Sequence, residues 1–475
     1  MYLISSKRTQ AGSVLLVSLM TSAIIGTTLA SYLILTRQQH QFVVRSQTWN
    51  SAIVMSEAGV EDGLALLNKY VNQVDLLTNW NNSSSIAADN WTLQADGRYY
   101  VRRYLNANNY YDVYLTKTAS GANIDSTGYA PWNYTGTSAG AGAYAAAGVS
   151  GGSAPALISR HVNVQTKVDA LFNVAMAAIQ QIDFNGKNVE TDSFDSADAS
   201  YSDFPLGWSY GLYPTSSAKQ KANGDVATDY TITNSLTVGN AKIKGHASTG
   251  PKGTVTLGPN GSVGDKAWVE GGSTGAQAGH VSDDMNVLFP DVIQPSTTWS
   301  WAGGSSFTDI SGIDYDVVIN YSGDYWVSSF NKGVYVAPGV DARLLVLNNV
   351  NMNGSTDTIR ISAGSRLKLY MYGNTFKVAG NGVINDGKNA SAFYYFGLPT
   401  NKSVQFNGNA DFTGAIYAPN ADFTLGGGGS TAYDFVGASV SKTVKMNGHF
   451  KFHYDENLRR NGMGRGYIPT NWTES

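Results

Sequence analysis

The chain has 475 residues, a length that corresponds to roughly three domains at about 150 residues each. Charged residues make up only 14% and glycine occupies 52 positions, whereas a helical bundle or coiled coil would carry far more Glu, Lys and Arg. The net charge of −3 gives no field that would attract phosphates, which argues against a nucleic-acid partner. Cysteine is absent, which removes thiol catalysis, Cys-ligated zinc, iron–sulfur clusters and disulfides.

The amino-terminal region predicts a membrane-spanning helix. Residues 11–35 carry no charge, and at 1.5 Å per residue they reach about 37 Å, enough to cross a hydrocarbon core of about 30 Å. A cleavable signal peptide is the alternative, because Thr28-Leu29-Ala30 fits a small-residue cleavage site. The apolar run continues beyond that site to Leu35, which favours a retained anchor. Positive charges on the two sides are nearly balanced and leave the orientation open.

The pattern predicts that this helix continues beyond the membrane. Apolar residues recur at steps of three, four and seven, and no proline separates them from the anchor. We therefore predict one helix of about sixty residues, apolar in its first half and amphipathic in its second. The predicted apolar stripe comprises Phe42, Trp49, Ile53, Val60, Leu64, Leu67, Val71 and Val74.

Two segments of this helix resemble PilX-type type IV minor pilins and related pseudopilins. They are RTQAGSVLL at residues 8–16 and SEAGVE at residues 56–61. The resemblance implies a prepilin-type leader cut between Gly12 and Ser13, and an amino terminus in the cytoplasm. Ser13 and Val17 stand where major pilins have Phe and Glu. The missing Glu argues against a role as a bulk filament subunit and weakens the case for cleavage at Gly12.

The middle of the chain predicts a small sheet. Aromatic and β-branched runs at 98–105 and 110–116, joined by an Asn-rich turn, predict a hairpin. Residues 119–154 are rich in Gly, Ala and Ser and predict a mobile surface loop. Residues 156–166 predict a third strand. A helix with a small antiparallel sheet is the arrangement expected of a pilin head.

A short repeat begins near residue 178. The pattern consists of an aliphatic residue, any residue, Phe or Met, and then Asn-Gly. It occurs four times, starting at Ile182, Val350, Val404 and Val444. Each copy alternates in–out–in and ends in a turn that Asn and Gly tolerate at positive φ. This pattern favours a parallel β-helix over the alternative, a β-sandwich with Asn-Gly hairpins. The predicted core residues are Phe184, Met352, Phe406 and Met446, and the predicted turn residues are Gly186, Gly354, Gly408 and Gly448.

Three further sequence segments, at 192–196, 414–420 and 453–456, accompany the repeat. Together they resemble a β-helix-like carboxy-terminal domain that follows PilX-type anchors in environmental bacteria, which implies an architecture and no activity. The predicted fold is mainly β, with a long transmembrane and amphipathic α-helix, a small α+β pilin-like part, and a parallel β-helix (solenoid). The predicted boundaries are 1–36 for leader and membrane helix, 37–177 for the pilin-like part, 178–458 for the β-helix and 459–475 for a tail.

The sequence carries few candidates for chemistry. The most catalytic-looking group is interpreted as polar decoration on an exposed last coil; it comprises His449, His453, Asp455 and Glu456. Asp192 and Asp195, followed by Asp198 and Asp203, are weak candidates for calcium, but they lack the spacing of known calcium motifs and capping turns are favoured. We predict no catalytic residue, cofactor or metal.

Two classes of function follow. The favoured one is a non-enzymatic, single-pass bacterial membrane protein, a minor pilin-like component of a type IV pilus or secretion-type assembly, with a structural or adhesive role. Its bulk would be periplasmic or at the cell surface, and its partners would be the cytoplasmic membrane, other pilin-like subunits and surface polysaccharide. The alternative is a polysaccharide-active enzyme or binding module, which needs paired acids on one face. Aromatic residues that could stack on sugars are Trp299, Trp301, Tyr315, Tyr321, Tyr325 and Trp326.

Overall fold

The chain is mainly β, with one long apolar helix near its amino terminus. The computed structural model describes residues 11–69, 83–118, 121–132, 157–185, 189–379, 381–407, 411–426, 433–447, 449–460 and 463–475. The chain divides into two compact units. Unit 1 is Met1–Leu66, Asn82–Lys167 and Ile468–Ser475, and unit 2 is Leu67–Asn81 and Val168–Tyr467.

Helix α1 spans Ala11–Asn68. Its side chains from Val14 to Leu35 are exposed, and the described residues contain no other helix long and apolar enough to cross a membrane. Five hydroxyls within this run, those of Ser18, Thr21, Ser22, Thr27 and Thr28, donate to carbonyls of the same helix. Thr21, for example, donates to the Val17 carbonyl at 2.8 Å and Ser22 to the Ser18 carbonyl at 2.7 Å. Such back-bonding removes the cost of placing a hydroxyl in lipid. The long helix is therefore confirmed as far as residue 68.

Unit 1 also contains a six-stranded sheet and the short helix α2 (Ser83–Ala88). With strands numbered along the chain, its order is β1 (Thr92–Leu93), β2 (Tyr99–Tyr104), β3 (Tyr110–Lys117), β4 (Ala122–Pro131), β5 (Leu157–Ala170) and β33 (Gly464–Glu474). The pairings from β1 through β5 are antiparallel, and β2 with β3 confirms the predicted hairpin. The segment 459–475, predicted as a tail, instead contains β33, and Ser475, which follows this strand, exchanges backbone hydrogen bonds with His161.

Strand β4 corrects the prediction of a mobile loop over 119–154. Its residues alternate between buried and half-buried along the whole strand. The buried positions carry small side chains at Ala122, Ser126 and Ala130, so the segment lacks the apolar bulk by which strands are usually recognised. The rest of that predicted loop, except residues 121 and 132, lies outside the described residues.

The buried face of α1 explains why small residues are needed here. Ala52, Ser56, Gly59 and Gly63 are buried along this face. A β-carbon at Gly59 would lie 2.2 Å from Ser126 Oγ and 2.8 Å from a Val113 methyl group. Helix and sheet therefore approach so closely that a larger side chain cannot be accommodated.

The predicted apolar stripe was partly wrong. Val60 and Leu67 are buried, but Phe42 is 70% exposed and Trp49 is 41% exposed beneath the Arg160 guanidinium. Close approach to the sheet selects small residues, so the largest apolar side chains do not mark the buried face. Val71 and Val74 lie outside the described residues.

Unit 2 is built mainly from short parallel strands that form three ladders. Ladder A pairs, in order, β17 (Ser300–Trp301), β20 (Gly323–Val327), β22 (Asp341–Val346), β25 (Arg366–Met371), β28 (Phe393–Gly397), β30 (Phe412–Leu425), β31 (Tyr433–Met446), β6 (Met176–Ala178), β9 (Val226–Thr228), β12 (Ala247–Ser248) and β16 (Val281–Ser282).

The later parts of β30 and β31 belong to ladder B. It pairs β23 (Val350–Met352), β26 (Thr375–Val378), β29 (Ser403–Phe406), β30, β31, β7 (Ile182–Phe184), β10 (Leu236–Gly239) and β13 (Val255–Leu257). The first parts of β30 and β31 begin ladder C. It continues through β32 (Phe450–Asp455), β8 (Glu190–Phe194), β11 (Lys242–Lys244), β14 (Ser262–Gly264) and β15 (Gly275–Ala276).

The remaining strands of unit 2 form a five-stranded sheet. It consists of β18 (Gly303–Ile310), β19 (Ile313–Ile319), β21 (Gly333–Val336), β24 (Thr358–Ile361) and β27 (Val383–Asn385). Only the β18–β19 pairing in it is antiparallel. The N-cap of the short helix α3 (Lys266–Glu270) is Asp265, whose carboxylate accepts from the Trp268 N–H.

The strand order in the ladders differs from the chain order. In ladder A, β31 near the end of the unit pairs with β6 at its beginning, and the other strands follow on either side of this pair. The same junction occurs in ladder B, where Val444 pairs with Ile182, and in ladder C, where His453 pairs with Asp192. The first and last strands of unit 2 therefore meet in the interior of all three ladders.

The repeat maps onto ladder B. Phe184 pairs with Met446, and through Leu425 and Val378 the same register reaches Phe406 and Met352. All four predicted core residues are at most 6% exposed and belong to one hydrophobic core.

The predicted turn residues fare differently. Gly354 has no positive φ, but a β-carbon there would lie 2.5 Å from Asp357 Oδ1, so the Asp357 carboxylate would have to move. Gly186, Gly408 and Gly448 lie outside the described residues.

Candidate functional site

A cavity of about 570 Å³ lies between ladder C and the segment that joins β8 to β9. We call residues 195–223 of that segment the covering segment. From the covering segment the cavity is lined by Asp203, Leu212, Tyr213, Pro214, Thr215 and Gln220. From the strands of unit 2 and their ends it is lined by Lys388, Asp411, Thr413, Asp434, Val436, Lys451 and His453.

The register of ladder C places two carboxylates side by side. Phe412 pairs with Phe435, so the preceding residues Asp411 and Asp434 are neighbours, and Asp434 pairs with Lys451 on the next strand. The Asp434 N–H donates to Asp411 Oδ1 at 3.0 Å. Adjacent strands lie about 4.8 Å apart. The enzyme alternative calls for paired acids on one face, and Asp411 and Asp434 are such neighbours. The pair could not be recognised in the sequence, because the two residues belong to different strands.

His453 lies beside Asp434, on the next strand of ladder C, and is only 3% exposed. Its Nδ1 is 2.6 Å from Asp192 Oδ1 and its Nε2 is 3.3 Å from Asp434 Oδ1. The Tyr213 ring stacks on the imidazole at 3.6 Å between centroids, and its hydroxyl donates to Asp192 Oδ2 at 2.8 Å. Both ring nitrogens thus face carboxylates.

These contacts decide the charge of the site. Burial lowers the pKa of His453, but Asp192 and Asp434 outweigh it, so the net pKa lies above the ordinary value. Burial raises the pKa of Asp434, but the hydrogen bond and charge of His453 outweigh it and the net pKa is lowered. The pKa of Asp203 falls to about 2, chiefly because the Thr215 N–H donates to it. Asp434 and Asp192 therefore favour the protonated form of His453, and His453 in turn favours the ionised form of Asp434.

The interpretation of His453 and Asp455 as exposed decoration was wrong. Asp455 is 1% exposed, and its Oδ1 accepts from the Ser196 N–H at 3.1 Å. Burial raises the pKa of Asp455 to about 6. Glu456 accepts from Ser193 Oγ at 2.9 Å, Asn223 Nδ2 at 2.7 Å and Lys221. The covering segment buries these groups, and no local pattern in the sequence indicates that it does.

The two weak calcium candidates have protein partners. Asp192 accepts from Tyr213 and His453, as described above. Asp195 Oδ1 accepts from Arg460 at 2.5 Å and from the Ala197 N–H at 3.0 Å, while Asp198 caps the Ser200 N–H in the same way. These are the capping turns that the sequence favoured. Within the described ranges no three His, Cys, Asp or Glu residues are grouped as metal ligands.

The aromatic candidates are only partly accessible. Trp301 and Tyr321 are 53% and 79% exposed and line a second cavity of about 330 Å³ with Tyr325. Trp326 packs edge-on against Trp301 at 4.5 Å. Trp299 is half-buried, and Tyr315 is fully buried and cannot contact a ligand.

Comparisons with known proteins give little functional information. Residues 301–461 match the family model of a domain of unknown function, DUF7305. This region contains Asp411, Asp434 and His453, whereas Asp192 and Tyr213 lie outside it. No curated protein matches the sequence. The crystal structure of the competence-associated pilin ComZ from Thermus thermophilus aligns with 90% of this chain and 97% of its own, at 11% identity and a TM-score of 0.21, and we draw nothing from a likeness this slight.

Proposed function

We propose that the chain is a membrane-anchored, minor pilin-like surface protein with a structural or adhesive role. The observation that carries this proposal is the division of α1. Its apolar first half, from Val14 to Leu35, is exposed, whereas its second half packs through Ala52, Ser56, Gly59 and Gly63 onto an antiparallel sheet. One helix that serves as both anchor and core element suits a subunit that other anchored subunits contact alongside.

The proposal includes a cytoplasmic amino terminus and an extracytoplasmic bulk. Protease added to spheroplasts should digest the chain after residue 80, and full protection there would contradict this topology. Mass spectrometry of the mature amino terminus tests processing: a prepilin-type peptidase, if it acts, should leave Ser13 as the first residue. An end at Ser31 would show an ordinary signal peptide, and the pilin-like proposal would fail.

We also propose that the three ladders of unit 2 are the faces of one parallel β-helix, a rigid body for presentation at the cell surface. Support comes from the same strand order and register recurring in all three ladders. The absence of cysteine permits a clean test. Lys445 pairs with Asp183 in ladder B, so the pair Lys445→Cys and Asp183→Cys should form a disulfide under mild oxidation.

The matched control for that pair uses the next strand along the ladder. Thr237 pairs with Asp183 on the side away from Lys445. Two strand spacings, about 9.6 Å, exceed the reach of a disulfide. The pair Lys445→Cys and Thr237→Cys should therefore stay reduced, and equal oxidation of both pairs would contradict the register.

A polysaccharide-active enzyme remains the second candidate, because Asp411 and Asp434 are neighbours at one cavity wall. Glycoside hydrolysis needs one carboxyl that is protonated near neutral pH. The pKa values of Asp434 and Asp203 are both lowered, so neither of these can serve as that acid. Release of reducing ends from polysaccharide, lost in Asp434→Asn, would favour the enzyme over the structural role.

A further inference from the structure

We propose that the cavity between ladder C and the covering segment is a binding site for an uncharged oligosaccharide. The wall of Asp411, Asp434 and Lys451 would contact the sugar hydroxyls. This inference does not depend on the membrane anchor, since every residue it uses belongs to unit 2.

The size and lining of the cavity suit a sugar. Its volume of about 570 Å³ lies within the range of about 300–1,000 Å³ typical of small-molecule sites. Carboxylates and lysines supply hydrogen-bond acceptors and donors, and Leu212, Tyr213 and Val436 supply apolar surface. A pyranose ring has the matching character, with hydroxyls around its edge and C–H groups on its faces. Tyr213 can offer a sugar only its ring, because its hydroxyl donates to Asp192.

The cavity lining carries charges of both signs, which favours an uncharged ligand. Asp203, Asp411 and Asp434 line it together with Lys388 and Lys451, and the His453 imidazole is already held by Asp192 and Asp434. A polyanion would meet the neighbouring carboxylates of Asp411 and Asp434, and a polycation would meet the two lysines. Juxtaposed like charges discriminate strongly against such ligands.

The position of His453 favours binding over catalysis. Its two ring nitrogens face Asp192 and Asp434, so neither is directed at a ligand for proton transfer. His453 is therefore a positioning residue that orients the Asp434 carboxylate toward the cavity. Asp434 retains 45% exposure of its side chain and can accept from sugar hydroxyls.

Calorimetric titration of the full chain in detergent tests the proposal. The probes are maltohexaose, mannohexaose, xylohexaose and chitohexaose, with hexagalacturonate as the anionic comparison. We expect at least one neutral hexaose to bind and hexagalacturonate to bind at least about tenfold more weakly. Asp411→Asn and Lys451→Met should each weaken neutral binding by about tenfold or more, because each removes a charged hydrogen-bonding group.

Trp301→Ala is the matched control, because Trp301 lies in the second, aromatic cavity. It should change the affinity by less than about twofold. Loss of binding in Trp301→Ala but not in Asp411→Asn would place the sugar at the aromatic cavity and overturn the proposal. Failure of all four neutral probes, or preference for hexagalacturonate, would overturn it too.

Two further measurements keep the result unambiguous. Asp411 is exposed and Lys451 half-exposed, so the near-ultraviolet circular dichroism of both variants should match the parent. His453→Gln reports the positioning role, since it should weaken binding at pH 6 more than at pH 9, because a rising pH favours loss of the imidazole proton in the parent. Equal weakening at both pH values would contradict that role. Failure of the anchor would appear in membrane fractionation and would leave these titrations unchanged.

Discussion

The helix–sheet contact of unit 1 and the ladders of unit 2 achieve burial by opposite means. In unit 1, Gly59 and Gly63 on α1 allow the sheet to approach so closely that no β-carbon fits. In unit 2, large side chains stack from strand to strand, as in the column of Phe412, Phe435 and Phe452, whose ring centroids lie 4.4 and 4.3 Å apart. The first region should tolerate no enlargement and the second no truncation.

This difference follows from geometry. Parallel strands at a fixed spacing of about 4.8 Å leave an interior whose width the side chains must fill. A helix on a sheet has no such fixed distance, so its side chains set how close the two can come. Composition is therefore a good guide to the core of unit 2 and a poor guide to the core of unit 1.

The largest effect is expected from truncating the ladder core. Phe435→Ala removes a fully buried ring between two others and should cost about 3–5 kcal/mol, and Met446→Ala about 2–5 kcal/mol. Hydrogen exchange of amides in 433–446, measured by mass spectrometry on the full chain, gives the opening free energy. Tyr321→Ala, at a 79% exposed position, is the control and should stay near the parent. Parent-like exchange in Phe435→Ala and Met446→Ala would show that the columns are not packed.

A similar but smaller loss is expected at the junction of the first and last strands. His453→Ala leaves the buried Asp192 without its imidazolium partner and should cost about 3 kcal/mol at pH 6. Because the folded-state pKa of His453 is raised, its contribution is complete below the unfolded value of 6.5 and is lost as pH rises through the folded value. Exchange in 450–455 should therefore differ less between parent and variant at pH 9. A pH-independent difference would mean that packing alone is lost.

The reverse test enlarges a side chain in unit 1. Gly59→Val must displace Ser126 and Val113 and should destabilise the helix–sheet contact by about 1–3 kcal/mol, with faster exchange in 110–131. Gly26→Val is the matched control on the same helix, since no atom lies within 4 Å of the position that a β-carbon at Gly26 would take. Equal behaviour of the two variants would rule out close approach as the reason for glycine at 59.

The smallest effect concerns the pH dependence of the covering segment. The pKa of Asp455 is raised to about 6, so its charged form opposes folding, and stability is lost as pH rises through that value. Asp455→Asn keeps an acceptor for the Ser196 and Asn457 N–H groups. The variant should match the parent at pH 4 and exceed it by about 1–2 kcal/mol at pH 8. Lower stability of the variant at pH 8 would show that the ionised carboxylate is stabilising.

The sequence predicted the elements whose signal is local. The uncharged run of α1, the hairpin of β2 and β3, and the short alternation that maps onto ladder B are each visible within a window of about ten to twenty residues. The sequence analysis missed strand β4 because four of its five buried positions carry Ala, Ser or Gly, which indicate a loop when the partner surface is unknown.

The candidate site could not be predicted because its members come from distant parts of the chain. His453 and Asp192 are 261 positions apart, and Asp411 and Asp434 are neighbours only through the register of β30 and β31. From the sequence, Asp192 was interpreted as part of a capping turn and His453 as polar decoration on an exposed coil, with no link between them. Their burial depends on the covering segment, which has no regular pattern.

The sequence by itself determined the apolar helix, the mainly β character and the inward-facing positions of the ladder B repeat, because hydrophobic periodicity acts within each element. Only the tertiary structure decided that the first and last strands of unit 2 pair in the interior of the ladders, and that an imidazolium and two carboxylates meet at one cavity. Strand pairing has nearly the same local energy for many partners, so the choice rests on the free energy of the whole packed core, which no short segment encodes.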